Sequence, residues 1–255
     1  MRSPLVVGNW KMNGTLSEAT SLARAVAKEL KEKPSKAFLA LAPPVTALVQ
    51  VHQKIRMSEI SLAAQNCHWQ DSGAFTGEVS PVMLRDIGCM YVIVGHSERR
   101  HIFHETDEMI AKKMVAAIRN KLRPILCVGE TLAEREDGLT TKVITRQLRT
   151  ALKQLEKNDI ANVEVAYEPV WAIGTGHNAD PKQIAEIHGR IRRFLAVSFG
   201  QSSANRVRIL YGGSVKPENA NDLAKTSEVD GLLVGGASLK VETFVPVIRC
   251  FDSNG

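Results

Sequence analysis

The 255-residue sequence has few of the features that mark specialised classes of protein. It contains only four cysteines, Cys67, Cys89, Cys127 and Cys250, without the short spacings typical of metal sites or redox pairs, so we expect buried, unpaired thiols and no metal. No apolar run approaches the roughly 20 residues that span a bilayer, and the N-terminal residues become polar too early for a signal peptide. We therefore expect a cytoplasmic protein without membrane contact.

Concentrated charge of one sign is also missing. The formal net charge is +6 and the isoelectric point about 9.2, but the basic residues are dispersed and aromatic residues make up only 5% of the chain. This pattern does not favour nucleic-acid binding, which needs a clustered basic surface. The densest basic run, residues 190–194, has Ile191 and Phe194 at helical spacing and is typical of a solvated helix face. We expect only a mild attraction for small anions, and no nucleic-acid partner.

Eight short apolar runs predict strands. They are residues 5–8, 38–42, 60–64, 91–94, 125–128, 163–167, 207–211 and 231–234. Most are continuous rather than alternating, as in strands buried on both faces, and helical patterns lie between them. The clearest helix follows Asp180, an N-cap residue with Pro181 next and Gln183 in capping-box position. Eight strand–helix units without a linker predict an α/β fold, a single (β/α)8 TIM barrel forming one domain over residues 1–255. A doubly wound open sheet is the alternative, because only residues 80–88 are available for a helix between the third and fourth strands.

Barrel enzymes carry their chemistry at the C-terminal ends of the strands. Polar, ionisable and glycine residues follow the predicted strands at these ends: Asn9, Lys11, His96, Glu98, Glu168, Gly212, Gly213, Ser214, Gly235 and Gly236. The two glycine pairs, after the seventh and eighth strands, predict backbone N–H groups at the starts of short helices, an arrangement that binds phosphate. Because no Walker lysine follows either pair, a single phosphate on a small molecule fits better than a nucleoside triphosphate.

Glu168 is the candidate base. The proline that follows keeps it extended at the end of its strand, so we expect its carboxylate at the barrel mouth, where it can take a proton. His96 and Lys11 are suited to polarise a carbonyl and to stabilise the oxyanion that forms, which together predicts proton transfer next to a carbonyl. The structural alternative for Glu168 is a salt bridge at the rim. A Schiff-base aldolase needs a lysine inside a strand, which none of the eight runs has, and a non-catalytic binding protein would lack one of the three groups.

The segment before the Asp180 helix contains a G-x-G-x-x-A match formed by Gly174, Gly176 and Ala179. Six residues separate the predicted strand from Gly174 and no acidic residue occurs at positions 194–200, so the spacing argues against a dinucleotide loop. Residues 169–179 are instead a long and largely apolar βα connection, which predicts a lid whose Gly174 N–H binds the phosphate when the lid is closed.

Several motifs resemble the triosephosphate isomerase family, in its bacterial form. They are GNWKMNG, AQN, SGAFTGE, GHSERR, LCVGE, AYEPVWAIGTG, YGGSV and DGLLVGGASL, spread over residues 8–239. The resemblance implies interconversion of dihydroxyacetone phosphate and D-glyceraldehyde 3-phosphate through an enediolate, in glycolysis and gluconeogenesis, without a cofactor or metal. The family is also a standard example of tuned acid–base groups and of lid closure.

The resemblance also implies roles for single residues. Glu168 is the base that moves the proton, neutral His96 is the electrophile, Lys11 and Asn9 bind the substrate and stabilise the oxyanion, and Glu98 is a partner of Lys11. The phosphate contacts fall on Gly174, Ser214, Gly235 and Gly236.

A second long loop, residues 65–80, contains Trp69 and Phe75, which is too much apolar surface for a free tip. Its part around Phe75 and Thr76 is similar to the family's loop that inserts into a neighbouring subunit. The resemblance therefore implies a homodimer.

Overall fold

The computed structural model describes residues 2–172 and 179–252. Eight parallel strands pair in chain order, and the last pairs with the first, so the sheet closes into a barrel. The strands are β1 (Leu5–Asn9), β2 (Phe38–Ala42), β3 (Ile60–Ala64), β4 (Cys89–Val94), β5 (Arg123–Val128), β6 (Glu164–Tyr167), β7 (Ile209–Tyr211) and β8 (Gly231–Val234). The predicted (β/α)8 barrel is confirmed, and the open sheet is excluded by the β1–β8 pairing.

Helices surround the barrel. They are α1 (Leu16–Glu32), α2 (Leu48–Ile55), α3 (Pro81–Asp86), α4 (Ser97–His101), α5 (Asp107–Arg119), α6 (Leu132–Glu136), α7 (Thr140–Leu152), α8 (Pro181–Phe199), α9 (Gln201–Ala204), α10 (Pro217–Lys225) and α11 (Val241–Arg249). The predicted capping box at Asp180 and Gln183 opens α8, and the short α3 is the helix between β3 and β4. Among the helices in the two described ranges, none has both the length and the apolar character to cross a bilayer.

The residues of each strand alternate between two apolar layers. Inside the barrel lies a cluster of Leu5, Val7, Ala40, Ala42, Ala63, Tyr91, Ile93, Ile125, Cys127, Ala166, Leu210 and Leu233, and the residues between them pack outward against the helices. The four cysteines are buried and unpaired, as expected. Because successive side chains of a strand point to opposite faces, the next inward positions beyond this cluster lie at the C-terminal rim.

The N-terminal end of the barrel is closed by an ion-paired group. Glu164 is fully buried, and its carboxylate accepts hydrogen bonds from Arg123 at 2.6 Å and Arg208 at 3.0 Å. Arg208 also lies over the ring of Phe38, at 5.2 Å from its centroid. Two guanidinium groups thus compensate a carboxylate that would otherwise be costly to bury.

Candidate active site

At the C-terminal ends of the strands the barrel opens into a cavity of about 570 Å³. Its walls include Asn9, Lys11, His96, Glu168, Gly212, Gly213, Ser214, Gly235 and Gly236. The predicted rim residues from five different strand ends therefore meet at one cavity. Glu98 lies outside this wall and reaches it through Lys11. The predicted phosphate contact at Gly174 lies outside the described residues.

Glu168 is almost completely buried, at 1% exposure, directly after β6. Its N–H donates to the carbonyl of Val128 at 2.8 Å, which extends the strand ladder by one residue. The backbone N–H of Ser97, at the start of α4, donates to Glu168 Oε2 at 2.8 Å. The other carboxylate oxygen has no hydrogen-bond partner in the described structure and is available to a proton.

His96 lies beside this carboxylate. Its Nε2 is 3.1 Å from Glu168 Oε1, without the alignment of a hydrogen bond. Its Nδ1 accepts a hydrogen bond from the backbone N–H of Glu98 at 3.3 Å, because His96 is the N-cap residue of α4. A neutral imidazole held in this way carries its proton on Nε2, the atom nearest the carboxylate.

Lys11 comes from the loop after β1, where its backbone adopts the left-handed conformation with φ of 52°. The loop is held by the side chain of Gln65, which donates to the carbonyls of Lys11 and Ala42, both at 2.8 Å. Asn9 accepts a hydrogen bond from the Lys11 N–H at 3.1 Å. Lys11 Nζ is 2.6 Å from Glu98 Oε1, so the ammonium is positioned by a carboxylate from a different strand end. Such a non-glycine conformation persists only where surrounding contacts enforce it.

The opposite wall consists of two turns rich in glycine. Gly213 and Ser214 follow β7, and Gly235 and Gly236 lead from β8 into a short 3-10 helix, Gly236–Leu239. Ser238 fixes this second turn, since both its backbone N–H and its hydroxyl donate to the carbonyl of Gly235, at 2.8 and 2.6 Å. This wall leaves backbone N–H groups near the cavity, as an anion site requires.

Cys127 lies beneath the base, inside the barrel. Burial and the nearby carboxylate of Glu168 raise the pKa of the Cys127 thiol well above its ordinary value. The thiol is therefore neutral at physiological pH, and Glu168 has an uncharged neighbour on this side.

Both flanks of residues 173–178, the central part of the predicted lid, are anchored. Trp171 donates its indole N–H to Glu130 at 3.0 Å and lies under the guanidinium of Arg135, 4.4 Å from the ring centroid. On the other side, Ala179 makes a backbone hydrogen bond with the hydroxyl of Tyr211, whose pKa is raised by burial to about 12. Residues 173–178 themselves lie outside the described ranges.

Three contributors to the site were not singled out from the sequence. Ser97 acts through its backbone N–H, which cannot be predicted from the residue type because nearly every residue has one. Gln65 directly follows the third predicted strand, but its carbonyl partners, in the loop after β1 and at the end of β2, become its neighbours only in the closed barrel. Gly212 was grouped with the phosphate turn, but a side chain there would instead meet Glu168.

The loop of residues 65–80 folds partly onto itself. The His68 ring stacks on Trp69, with centroids 4.2 Å apart, and contacts the tilted ring of Phe75 at 4.3 Å, while Phe75 stays 43% exposed. Thr76 is exposed at the tip. Self-packing therefore covers only part of the apolar surface, and the expectation that this loop contacts another subunit stays a prediction.

Comparison with known proteins agrees with this architecture. The family model described as triosephosphate isomerase matches residues 4–251. The chain is 50% identical over 249 residues to a triosephosphate isomerase of Endomicrobium trichonymphae, covering 98% of this chain and 99% of the relative. It is 48% identical over 249 residues to that of Caldanaerobacter subterraneus subsp. tengcongensis, covering 98% and 100%, and 48% identical over 254 residues to that of Prosthecochloris aestuarii, covering both chains fully. The chain therefore belongs to the triosephosphate isomerase family.

Proposed function

We propose that residues 1–255 form one domain whose rim cavity interconverts dihydroxyacetone phosphate and D-glyceraldehyde 3-phosphate. The observation that carries the proposal is that the carboxylate of Glu168 and Nε2 of His96 lie 3.1 Å apart in the cavity that Lys11 and the glycine turns also line. The reaction is an aldose–ketose isomerisation, an intramolecular oxidoreduction. It belongs to glycolysis and gluconeogenesis and needs no cofactor or metal, and we infer that it takes place in the cytoplasm, with no nucleic-acid or membrane partner.

Glu168 is the proposed base. Its carboxylate removes a proton from the carbon next to the carbonyl, the C–H electrons form the C=C bond of an enediolate, and the carbonyl electrons move onto oxygen. The proton of the adjacent hydroxyl then moves to the former carbonyl oxygen, so that the negative charge lies on the other oxygen. The protonated carboxyl of Glu168 returns its proton to the former carbonyl carbon as the other oxygen re-forms a carbonyl, which gives the isomer. This geometry suits one base serving both carbons, because the carboxylate is buried and fixed by Ser97.

His96 and Lys11 are the proposed electrophiles. The Nε2–H of His96 donates to the oxygen that becomes negative, and the ammonium of Lys11 attracts it, with Asn9 completing the substrate contacts. At roughly 4 Å and an effective dielectric constant near 20, one ammonium contributes about 4 kcal/mol to such an anion. Glu98 positions Lys11 before the substrate arrives.

The glycine turns are the proposed phosphate site. Ser214, Gly235 and Gly236 provide donors on one wall, and Gly174 of the lid is proposed to add its N–H on closure. Donors fixed on a rigid barrel lose little entropy when they bind the phosphate, so the remote phosphate holds the reacting carbons against Glu168.

A coupled assay with D-glyceraldehyde 3-phosphate tests the function. Glu168→Asp retracts the carboxylate by one methylene, and we expect kcat to fall by about 10²-fold or more with little change in KM. Unchanged turnover in this variant would remove Glu168 from its role. Trapping with borohydride separates the aldolase alternative, because only a Schiff-base enzyme would yield a lysine adduct with the substrate.

We further propose that the enzyme is a homodimer. Exposed apolar side chains are concentrated on the loops and short helices that follow β1 to β4: Met12, Val45, Val49, Phe75, Val82, Met83, Ile102 and Phe103. An apolar surface of this kind is typical of an interface. We expect a dimer by analytical ultracentrifugation, and a shift to monomer in Thr76→Arg, which places a charge at the tip of the inserted loop. A monomeric wild-type protein at micromolar concentration would contradict the proposal.

A further inference from the structure

A second cavity, of about 650 Å³, lies at the opposite, N-terminal end of the barrel. It is bounded by the C-terminal halves of α1 and α2 and by the two turns that lead to β2 and β3. The catalytic rim is at the other end of the same strands. A ligand here would therefore not contact the reacting groups.

The floor of this groove is apolar. Its members are Ala27, Leu30, Pro34, Phe38, Leu39, Met57 and Ile60. Two of them are large and strongly exposed, since Phe38 is 48% and Met57 92% accessible. Apolar surface of this extent, rimmed by charge, is typical of a binding site, and methionine adapts its shape readily to a partner.

The rim of the groove is basic. Arg24, Lys28 and Lys31 follow one another along one side of α1, and Lys36 and Lys54 stand on the turn and on α2. Among the lining residues that the structure describes, Glu59 is the only acid. Within the described ranges, Lys28 is also the only one of the five cations with a carboxylate within 4.0 Å, that of Glu32 at 3.8 Å. Positions 24 to 31 span roughly 10 Å along a helix.

Several other basic side chains at this end of the barrel are compensated. Arg2 and Arg192 pair with Asp230 at 2.7 and 2.6 Å, and Arg123 pairs with the buried Glu164 at 2.6 Å. The groove differs from these pairs because it surrounds an apolar floor with five cations, four of which have no carboxylate within 4.0 Å among the described residues.

We propose that this groove binds an extended acidic peptide segment of another protein, with an apolar side chain seated on Phe38 and Met57. Cations spread over about 10 Å match several carboxylates spaced along a chain better than they match one phosphate. Alternating side chains of an extended peptide bring carboxylates to the rim and apolar groups to the floor.

The probe is a synthetic seven-residue peptide that alternates glutamate with leucine or phenylalanine, blocked at both ends. Titration into the full chain labelled at the methionine methyl groups reports the site directly by NMR. We expect a saturable shift of the Met57 signal that weakens as salt is added. Met12, which is 94% exposed at the catalytic end, is the internal control and keeps its position.

Charge reversal tests the basic rim. Lys31→Glu with Lys54→Glu is expected to weaken binding by about tenfold, while Lys142→Glu with Lys153→Glu, exposed lysines at α7, leaves it unchanged at the same net charge. Isomerase turnover stays at the wild-type value in both double variants. The proposal is overturned if Met57 does not respond at millimolar peptide, if both double variants weaken binding equally, or if a lysine–leucine peptide binds as well. Binding of anionic vesicles or single-stranded nucleic acid at Met57, without peptide binding, overturns it too.

Discussion

Gly212 occupies the space behind the candidate base, and filling that space is a direct test of the site. A Cβ at position 212 would lie 2.9 Å from Cγ of Glu168, 3.4 Å from the carbonyl oxygen of Tyr167 and 3.6 Å from Glu168 Oε1. The backbone of Gly212 is not in the left-handed region, so the conflict is with neighbouring atoms and not with its own conformation. Gly212→Ala therefore perturbs the base by one methyl group.

The size of the effect follows from these contacts. An ordinary carbon contact begins near 3.4 Å, so Cγ has to retreat by about 0.5 Å, which is the tolerance of a catalytic group. Glu168 has no free room, because it is 1% exposed and its carboxylate is bound by the N–H of Ser97 at 2.8 Å. A misplacement approaching 1 Å costs about 10²-fold in rate. We expect kcat to fall by about 10- to 100-fold with KM little changed, and stability to fall by about 1–3 kcal/mol from overpacking.

Steady-state kinetics in both reaction directions measures the effect. Gly189→Ala is the matched control, since no heavy atom beyond the nearby backbone of α8 itself lies within 4 Å of the added carbon, and we expect unchanged kcat with about 0.5–1 kcal/mol of added stability. Wild-type kcat in Gly212→Ala would refute the steric argument.

Two further predictions concern the mouth of the site and acid stability. The outer cavity wall carries three exposed charged residues, Lys216, Glu218 and Lys240. Lys216→Met or Lys240→Met should lower kcat/KM about threefold at low salt, while Glu218→Gln should raise kcat/KM, and kcat should not change in any of them. If all three variants change kcat/KM in the same direction, electrostatic attraction of the substrate is excluded. Burial lowers the pKa of His188 to about 4, from about 6.5 in the unfolded chain, so about 3 kcal/mol of stability present above pH 6.5 is lost as the pH falls to 4. The free energy of unfolding, measured with urea across this pH range, should depend less on pH in His188→Gln than in the wild type. An unchanged pH dependence in this variant would contradict the prediction.

The positions of the strands could be predicted closely because apolar runs and backbone pairing coincide in most of the barrel. The bounds of β2, β3 and β8 agree with the apolar runs. They differ where pairing extends past apolar residues, as at Arg123, which pairs with Tyr91 and starts β5 two residues early. They also differ where an apolar residue is in a turn, as at Val207, whose N–H bonds to Ala204 and not to a strand.

Buried polar groups could not be predicted in the same way. Glu164 is inside a predicted strand and fully buried, and it is tolerated only because Arg123 at the start of β5 and Arg208 just before β7 reach it. The pairing depends on strand register, which no local pattern contains. For the same reason the contacts of Ser97 with Glu168 and of Gln65 with Lys11 emerge only when the barrel is closed.

Asn9 and Glu168, two of the candidate site residues, occupy one layer of the barrel, and the alternation of the strands puts them there. In β1, Leu5 and Val7 belong to the interior cluster, and Asn9 is the next inward position. In β6, Ala166 belongs to the interior cluster, and Glu168 is the next inward position. The apolar residues that fill the barrel thus also form the floor on which the site rests. Inserting one residue into β6 before Glu168 would turn its carboxylate outward toward the helices, so the barrel and its base depend on the same register.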